Sequence, residues 1–480
     1  MAKTQNAKPE REIGTRKNKF GNQFQNSTNK RTLLKMFSKY SAVELQEIQR
    51  RQARNVHRPN YTVFGRRSQK SRDELYSLHQ DAVDSLRART ISELQGAGNQ
   101  EAGRDAENQD SGNGTGKIIN DVLYDHIHLS ALDLAFVDHP LFQRLDGLRQ
   151  LSIAHRVYKG AQHTRKGHSI GTAHLAEKWL THLGVMGSRR AQLVKLAALL
   201  HDIGHAAFSH TFDHHVAKKL NLPEHEVRSV QLMRRINAHC LQLDQDEERF
   251  VEHVILGKTL EPHEPFWFEI VANSETGVDV DKLDYLMRDA YFCGVSVAAF
   301  QPMRIIANSK LVDGHIVFRD KVYMDLFQMC QARFYMHREV YQHPTTLILE
   351  RMLVDALTDF DWSHDNTCDW TTWSDEAVLF TIRTRGTARA KQILKRIDHR
   401  TLYKRSSTTQ TGDAHNADER KSENKLQSVR TFGSTNSANP LDRVRFVLKN
   451  SDDVFYRKAT DVSACLPTTF VERIQWNVSS

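Results

Sequence analysis

A chain of 480 residues, 26% charged and 39% hydrophobic, can bury a sizeable core and has room for two or three structural units. No stretch approaches the roughly 18 unbroken apolar residues of a membrane helix. The first residues carry no apolar run, and the five scattered cysteines form no CxxC pair. A membrane anchor, a secretory signal, a disulfide framework and a zinc knuckle are therefore not expected, and a cytoplasmic protein is, or a nuclear one in a eukaryote. The net charge of +9 is concentrated at the front: residues 1–90 hold 20 Lys/Arg against 8 Asp/Glu, a net of +12, and the rest of the chain is at −3.

Residues 1–30 are polar and aperiodic, so no fixed structure is expected there. Helical spacing of apolar residues follows over 31–52 and 71–95, then a Gly/Asn/Asp-rich linker over 96–116. The basic segment 1–116 reads in three ways, as a solvated tail, as a sequence-independent contact with nucleic acid or another polyanion, or as a targeting segment. From Lys117 the pattern is helix after helix: 139–151, 168–184, 189–203, 224–237, 245–256, 279–291 and 321–358. A short hairpin over 310–320 turns at Asp313-Gly314. The expected fold class is mainly all-α, with a helical core over 117–362 and a smaller mixed α/β lobe over 363–480. In that lobe 375–397 reads as helix, 405–439 as a polar insertion without structure, and 442–450 as strand-like alternation.

The apolar helix 189–203 turns abruptly polar at HDIGH. Packing gives no reason for His201, Asp202 and His205 at the end of a leucine-rich helix. In a continuous helix His201 and Asp202 leave about 100° apart, and His205 lies one turn below His201. His168 opens another helix, three residues after Arg165. Asp281, Tyr285 and Asp289 share one face of the 279–291 helix, with Leu283, Leu286 and Ala290 on the other. Arg333, His337 and Tyr341 repeat that spacing on 321–358. Taken singly, each of these is an ordinary cap or solvated face. Together, His168, His201, Asp202 and Asp281 make a mixed nitrogen and oxygen set that suits a divalent ion (Fe, Mn, Mg or Zn) with positions open to water and substrate.

The order H…HD…D, with HSIG around His168, HDIGH around His201–Asp202 and DVDKLDY around Asp281, resembles the HD-domain phosphohydrolases. A narrower resemblance rests on KIIND (117–121), HPLFQRL (139–145), RQL (149–151), HTRKGHS (163–169), HDIGHAAFSHTFD (201–213), PEHE (223–226), DVDKLDYLMRD (279–289) and YQH (341–343). Over about half of the chain these pieces resemble the deoxynucleoside triphosphate triphosphohydrolases of the sterile-alpha-motif-and-HD-domain type. The resemblance implies an HD-domain helical core, a metal on the four residues just named, and hydrolysis of a dNTP to deoxynucleoside and triphosphate. It implies that His210 and His225 contact phosphates and help protonate the leaving oxygen, and that His205 either does the same or orients a ligand. Arg165, Lys282, Tyr285 and Arg333 would bind phosphates, and His337 and Tyr341 the phosphate and base sides. Asp289 would hold the sugar 3′-hydroxyl. Gln150 and Leu151 would lie along the deoxyribose edge, where a 2′-hydroxyl clashes. A homo-oligomer, dimer or tetramer, is implied as well.

The chain departs from that family in places. No sterile-alpha-motif pattern precedes the core. Asp138 and Gln143 match residues that read an activating guanine nucleotide between subunits, and Arg400, with Leu402 and Lys404, matches further residues of that site. Asp146, however, stands where the resemblance implies an arginine, and Pro344 where it implies a lysine, so such activation is not expected to be kept in that form. Two rival functions remain. One is another HD reaction, a 5′-nucleotidase or cyclic-nucleotide phosphodiesterase, which has no need of the cation set Arg165, Lys282 and Arg333. The other is a nucleic-acid-associated nucleotide sensor, against which the intact ligand set argues.

Overall fold

The chain enters its folded part through an antiparallel hairpin, β1 (Lys117–Asp121) and β2 (Asp125–Leu129). The short helix α1 (Ala131–Val137) follows, opened by a Ser130/Asp133 capping box. The structure, a computed structural model, describes residues 116–480 apart from 298, 363–368, 412–424, 433–438, 459–461, 463–470 and 480. The N-terminal segment and the helices expected at 31–52 and 71–95 lie outside the described residues.

The centre of the fold is α2 (Arg165–His182), buried on almost every side, with His168, Thr172 and Trp179 inaccessible to solvent. Its apolar residues Ile170, Ala173, Leu175, Ala176, Trp179 and Leu180 meet the core on several sides, and its buried polar residues Arg165, His168 and Thr172 gather in its first two turns. Against it pack α3 (Arg189–Leu200) and, further along the chain, α6 (Val280–Cys293). Between those two come α4 (His225–Cys240) and α5 (Gln245–Ile255), the latter started by an Asp244/Glu247 capping box. Asp279 caps α6 by accepting from Lys282 N at 3.0 Å. The hairpin β3 (Ser309–Val312) and β4 (His315–Arg319) turns at Asp313-Gly314 as expected. The fold is thus mainly helical, with small sheets.

Several elements differ from the sequence reading. The helix expected over 189–203 stops at Leu200, and residues 201–209 run in tight turns. The cause lies on α4. Ser229 Oγ donates to His201 O at 2.6 Å, occupying a carbonyl that the next helical turn would use. Gly204 N donates back to Ser229 Oγ at 2.8 Å. Gly204 itself is pressed so close that a Cβ would meet His225 O at 2.1 Å and Ser229 N at 2.4 Å. His205 is therefore not one helical turn below His201. The helix expected over 321–358 is two, α7 (Tyr323–Met336) and α8 (Pro344–Thr358), joined by a wide π turn at His337–Tyr341. Pro344 cannot continue a helix and starts one instead. Residues 139–151 hold only Pro140–Gln143 and a 3-10 turn at Arg144–Gly147. Residues 375–397 divide into α9 (Asp375–Arg385) and α10 (Ala388–Asp398).

The polar stretch 405–439, expected without structure, contains β5 (Lys404–Thr411) and β6 (Lys425–Thr431). The two-residue strand β7 (Phe446–Val447) runs parallel to β4. The last strand, β8 (Val471–Ser479), lies between β5 and β6, antiparallel to both. Threonine and valine favour strands only where a partner is present, and this partner lies some forty residues or more further along the chain. The hydrophobic core is continuous across residue 362: Ile382, Ile393, Leu394 and Phe446 belong to the same cluster as Trp179 and Leu196. Among the described residues no helix is long and apolar enough to cross a membrane.

The Gly204 contact makes a testable contrast. Gly204→Ala drives a methyl into backbone and should cost about 1–3 kcal/mol of unfolding free energy. Gly187→Ala, with nothing within 4 Å of the new Cβ, should stay within about 0.5 kcal/mol of the wild type. Equal denaturant midpoints for the two variants would refute the close-packing account.

Candidate active site

The first turn of α2 puts Arg165 and His168 three residues apart and on one side. His168 Nδ1 is bonded to Asp284 Oδ2 at 2.8 Å, and His201 Nδ1 to the carbonyl of Ala198 at 2.8 Å. Each bond fixes a tautomer with the proton on Nδ1 and turns the Nε2 lone pair the other way. The two Nε2 atoms meet two carboxylates. His168 Nε2 is 3.2 Å from Asp281 Oδ1 and 3.6 Å from Asp202 Oδ2. His201 Nε2 is 3.5 Å from Asp281 Oδ1 and 3.6 Å from Asp202 Oδ1. Both Nε2 atoms are buried and neither has a hydrogen-bond partner. Buried polar atoms left unpaired are costly and rare.

This arrangement fits a divalent cation. Ligand atoms of His168, His201 and Asp202 lie within 4.8 Å of one another, with Asp281 beside them. The charges agree. Burial works to lower the His168 pKa, but its contacts with Asp281 and Asp284 outweigh that and raise it to about 10. A proton is thus held where the surrounding carboxylates call for positive charge. Burial raises the Asp202 carboxyl, but Arg165 Nη1, which donates to it, holds it well below the usual carboxylate range.

Asp284 is a residue that sequence reasoning passed over. It has no solvent exposure and accepts from His168, from Arg288 Nε at 2.9 Å and from Tyr124 OH at 2.9 Å. Gly171, the glycine of HSIG, makes room for it: a Cβ there would sit 2.1 Å from Asp284 Oδ1. The available signal was a second aspartate three residues after Asp281, followed at i+4 by an arginine.

Beside the cation site stands a histidine cluster. His205 stacks on His225 with ring centroids 4.0 Å apart, and His210 meets His205 edge-on at 4.8 Å. Asp213, also missed, orients the group by taking His205 Nδ1 at 2.8 Å, and Arg228 holds Asp213 in turn. His205 Nε2 faces Asp202 Oδ1 at 3.4 Å. Burial, reinforced by His205, pushes the pKa of His210 down to about 3 and that of His225 down to about 2. Both imidazoles are then neutral near pH 7. Ligand atoms of His205, His210, Asp213 and His225 also lie within 4.8 Å of one another.

These groups open onto a cavity of about 410 Å³. Its walls include Arg165, Asp202, His210, His225 and Asp281, and also Gln150, Leu151, Tyr285, Asp289, Arg333, His337 and Tyr341. Asp281 and Asp289 are eight residues apart on α6, about 12 Å along its axis. At the far position Asp289 accepts from Tyr341 OH at 2.6 Å and is bonded to His163 Nε2 at 2.7 Å. Gln150 belongs to this end, since its backbone N donates to His163 O at 3.0 Å. Arg333 donates to Thr431 O at 2.9 Å. His337 is pushed down to about 3 by burial and then by Arg333.

Lys282 is placed differently. Its ammonium rests on the buried Asp279 at 2.6 Å, and it lines an adjoining recess beside Arg333 rather than the main cavity. The three residues matched to a regulatory site do not meet within the chain. Asp138 pairs with Lys117 at 2.8 Å on a separate open cleft. Gln143 is turned onto Val137 O and Lys166, and Lys166 also pairs with Asp146 at 2.7 Å. Arg400 donates to Arg156 O at 3.1 Å.

Comparison with known proteins agrees with this geometry. An HD domain matches residues 165–288, and an HD associated region matches 300–433. The deoxynucleoside triphosphate triphosphohydrolase SAMHD1 homolog of Dictyostelium discoideum is 34% identical over 310 residues, covering 60% of this chain and 59% of that protein. Deoxynucleoside triphosphate triphosphohydrolase SAMHD1 of Bos taurus is 30% identical over 440 residues, 75% of this chain and 74% of the relative. The Homo sapiens protein of the same name is 31% identical over 350 residues, 62% of this chain and 56% of the relative. The chain thus spans less than two thirds of the Dictyostelium and human proteins and about three quarters of the bovine one. Because the bovine protein is 30% identical across about three quarters of both chains, and the HD domain match over 165–288 holds the four candidate cation ligands and the histidine cluster, the chain belongs to the HD-domain family of SAMHD1 deoxynucleoside triphosphate triphosphohydrolases.

Proposed function

We propose that this chain hydrolyses deoxynucleoside triphosphates to deoxynucleoside and triphosphate. One observation carries the reading: a single cavity is lined at once by Asp202 and Asp281, by the guanidinium-bearing Arg165 and Arg333, and by the Asp289–Tyr341 pair about two helical turns from Asp281. That span suits a nucleotide with its α-phosphate at the cation ligands and its sugar at Asp289. His168, His201, Asp202 and Asp281 would hold the ion, and the two imidazoles favour a transition metal over magnesium. A divalent ion bound there supplies positive charge to the reacting phosphate and makes a water more acidic.

The chain's own groups account for the rest. Arg165 and Arg333 offer planar donors to phosphate oxygens. Water attacks the α-phosphorus, the bond from phosphorus to the 5′-oxygen breaks, and that oxygen leaves with a proton. His210 and His225, kept neutral by burial, are poised to accept a proton and pass it on. Asp213 keeps His205 in one orientation beside them. Asp289, already fixed by His163 and Tyr341, presents a rigid acceptor to the 3′-hydroxyl. Leu151 and Gln150 close the edge where ribose carries its extra hydroxyl.

Three results are expected. Asp202→Ala should lose bound metal and at least about 100-fold in turnover, with its far-UV circular dichroism unchanged; normal metal content with full activity would sink the ligand assignment. Wild-type protein should release triphosphate, not pyrophosphate or phosphate, and should prefer dGTP to GTP by about 100-fold; comparable rates for the two refute the sugar-edge reading. We further infer that the basic residues 1–115 confer salt-sensitive binding to polyanions without taking part in the chemistry. A chain starting at Gly116 should hydrolyse normally and lose retention of DNA or RNA on a gel. Loss of hydrolysis on truncation, or no binding by the full chain at low salt, counts against this.

A further inference from the structure

The catalytic reading leaves part of the cavity wall unused. Ser152, Thr211, Thr346 and Glu350 line it and have no role at phosphate or sugar. Thr346 and Glu350 are four residues apart on α8 and so share a face. Ser152 follows Gln150 and Leu151 by two positions and one, and its Oγ lies 3.1 Å from Thr211 Oγ1. Thr211 Oγ1 is also 3.5 Å from Glu350 Oε1. Glu350 is thus two contacts beyond the residues placed along the sugar.

The chemistry of this corner is unfinished. Thr211 has one hydroxyl proton to divide between Ser152 and Glu350, and no lysine or arginine pairs with Glu350 among the described residues. Thr346 is 2% exposed, and its Oγ1 is buried without a partner. Gln150 Oε1 is buried without a partner too. Burial pushes the Glu350 carboxyl up to about 7, and the Thr211 bond only partly offsets it. Three polar groups around one cavity, two of them orphaned, call for a polar ligand edge. A carboxyl repels phosphate, so the triphosphate does not belong here. What remains of a nucleotide is its base.

We propose that Glu350, with Thr346 and Gln150 lining the same cavity, reads the base and favours one presenting two adjacent N–H donors, as N1–H and the 2-amino group of guanine do. The two carboxylate oxygens match that pair. Adenine and cytosine offer one amino donor next to a ring acceptor. Thymine offers a single N–H between two carbonyls that face the carboxylate with like polarity. The expected order is dGTP, then dATP and dCTP, then dTTP. This inference rests on the reading of the cavity as a nucleotide site.

The test is kcat/KM for all four dNTPs with the full metal-loaded chain, wild type against Glu350→Gln. The wild type should favour dGTP over dTTP by about tenfold or more, the discrimination typical of a paired hydrogen-bond readout. Glu350→Gln should remove most of that ratio, chiefly by weakening dGTP, while dTTP holds or improves. An equal loss on all four substrates, or a wild type indifferent between dGTP and dTTP, overturns the proposal and leaves the hydrolase reading standing. Should Glu350→Gln fail to fold, Glu350→Asp withdraws the charge by one methylene, and an unchanged dGTP to dTTP ratio in that variant is equally fatal. If the wild type turns over no dNTP, the hydrolase reading fails separately. Equilibrium binding of dGTP against dTTP then decides the base preference, and equal affinities refute it.

Discussion

Asp284 carries its charge where no water reaches, and a buried carboxylate is tolerable only when it is paired and fully hydrogen-bonded. Its partners come from three parts of the chain: His168 on α2, Arg288 one turn further along α6, and Tyr124 between the first two strands. Arg288 is tied in turn to Asp121 at the end of β1, at 2.8 Å. Burial alone would raise the Asp284 pKa, but Arg288 and His168 bring it below the usual carboxylate value, so the charge persists. This network fixes the rotation of α6 against α2. Once that rotation is set, Asp281 must face His168 and His201 one turn before Asp284, and Asp289 must lie further along the same cavity. The spacing of Asp281 and Asp289, and with it the proposed separation of cation and sugar, therefore follows from a charge that does not line the cavity.

The cation site and the histidine cluster satisfy their charges in opposite ways. At His168 and His201, the carboxylates of Asp202 and Asp281 converge, and the Nε2 atoms stay unpaired. Folding accepts that cost because a divalent ion can repay it. At His210 and His225, burial and the neighbouring His205 remove positive charge instead. Asp202 touches both regions, facing His168 and His201 on one side and His205 on the other. A proton moving through the cluster would thus change the field at the phosphate without any change in the ligands themselves.

The ordered H…HD…D pattern, the polar stripe of α6 and the hairpin at Asp313-Gly314 were legible in the sequence because each depends on local spacing. The π turn at His337–Tyr341 was not, since its wider i→i+5 closure cannot be told from an α-helix by residue spacing over so short a span, although Pro344 marked where the next helix had to begin. The turn after Leu200 depends on Ser229, nearly thirty residues later, and the sheet of β5, β8 and β6 on a strand later still. Asp213, Asp284 and His163 escaped notice for one reason. Each is an ordinary polar residue beside a known motif, and each acts by holding another group still. Such roles become visible only with the distances of 2.7–2.8 Å that tie them to Asp289, His168 and His205. Lys282, expected at phosphate from its position next to a ligand, has a second task that the sequence did not show, as counter-charge to the buried Asp279.

Asp289 and Glu350, two carboxyl groups on the same cavity, separate orientation from discrimination. Asp289 has both oxygens engaged, by His163 and by Tyr341, so it offers a ligand one fixed direction of approach. Such preorganisation costs no ordering when the ligand arrives and suits a group shared by every deoxynucleotide. Glu350 has a long contact to Thr211 and shares the cavity with the orphaned oxygens of Thr346 and Gln150. An unsatisfied acceptor gains most from the ligand that satisfies it and loses most with one that does not. On the proposed reading, the Asp289 end therefore serves every base alike, and the α8 end tells them apart. The same helix that Pro344 restarts after the π turn would carry that second role, because restarting there sets the face on which Thr346 and Glu350 meet the cavity.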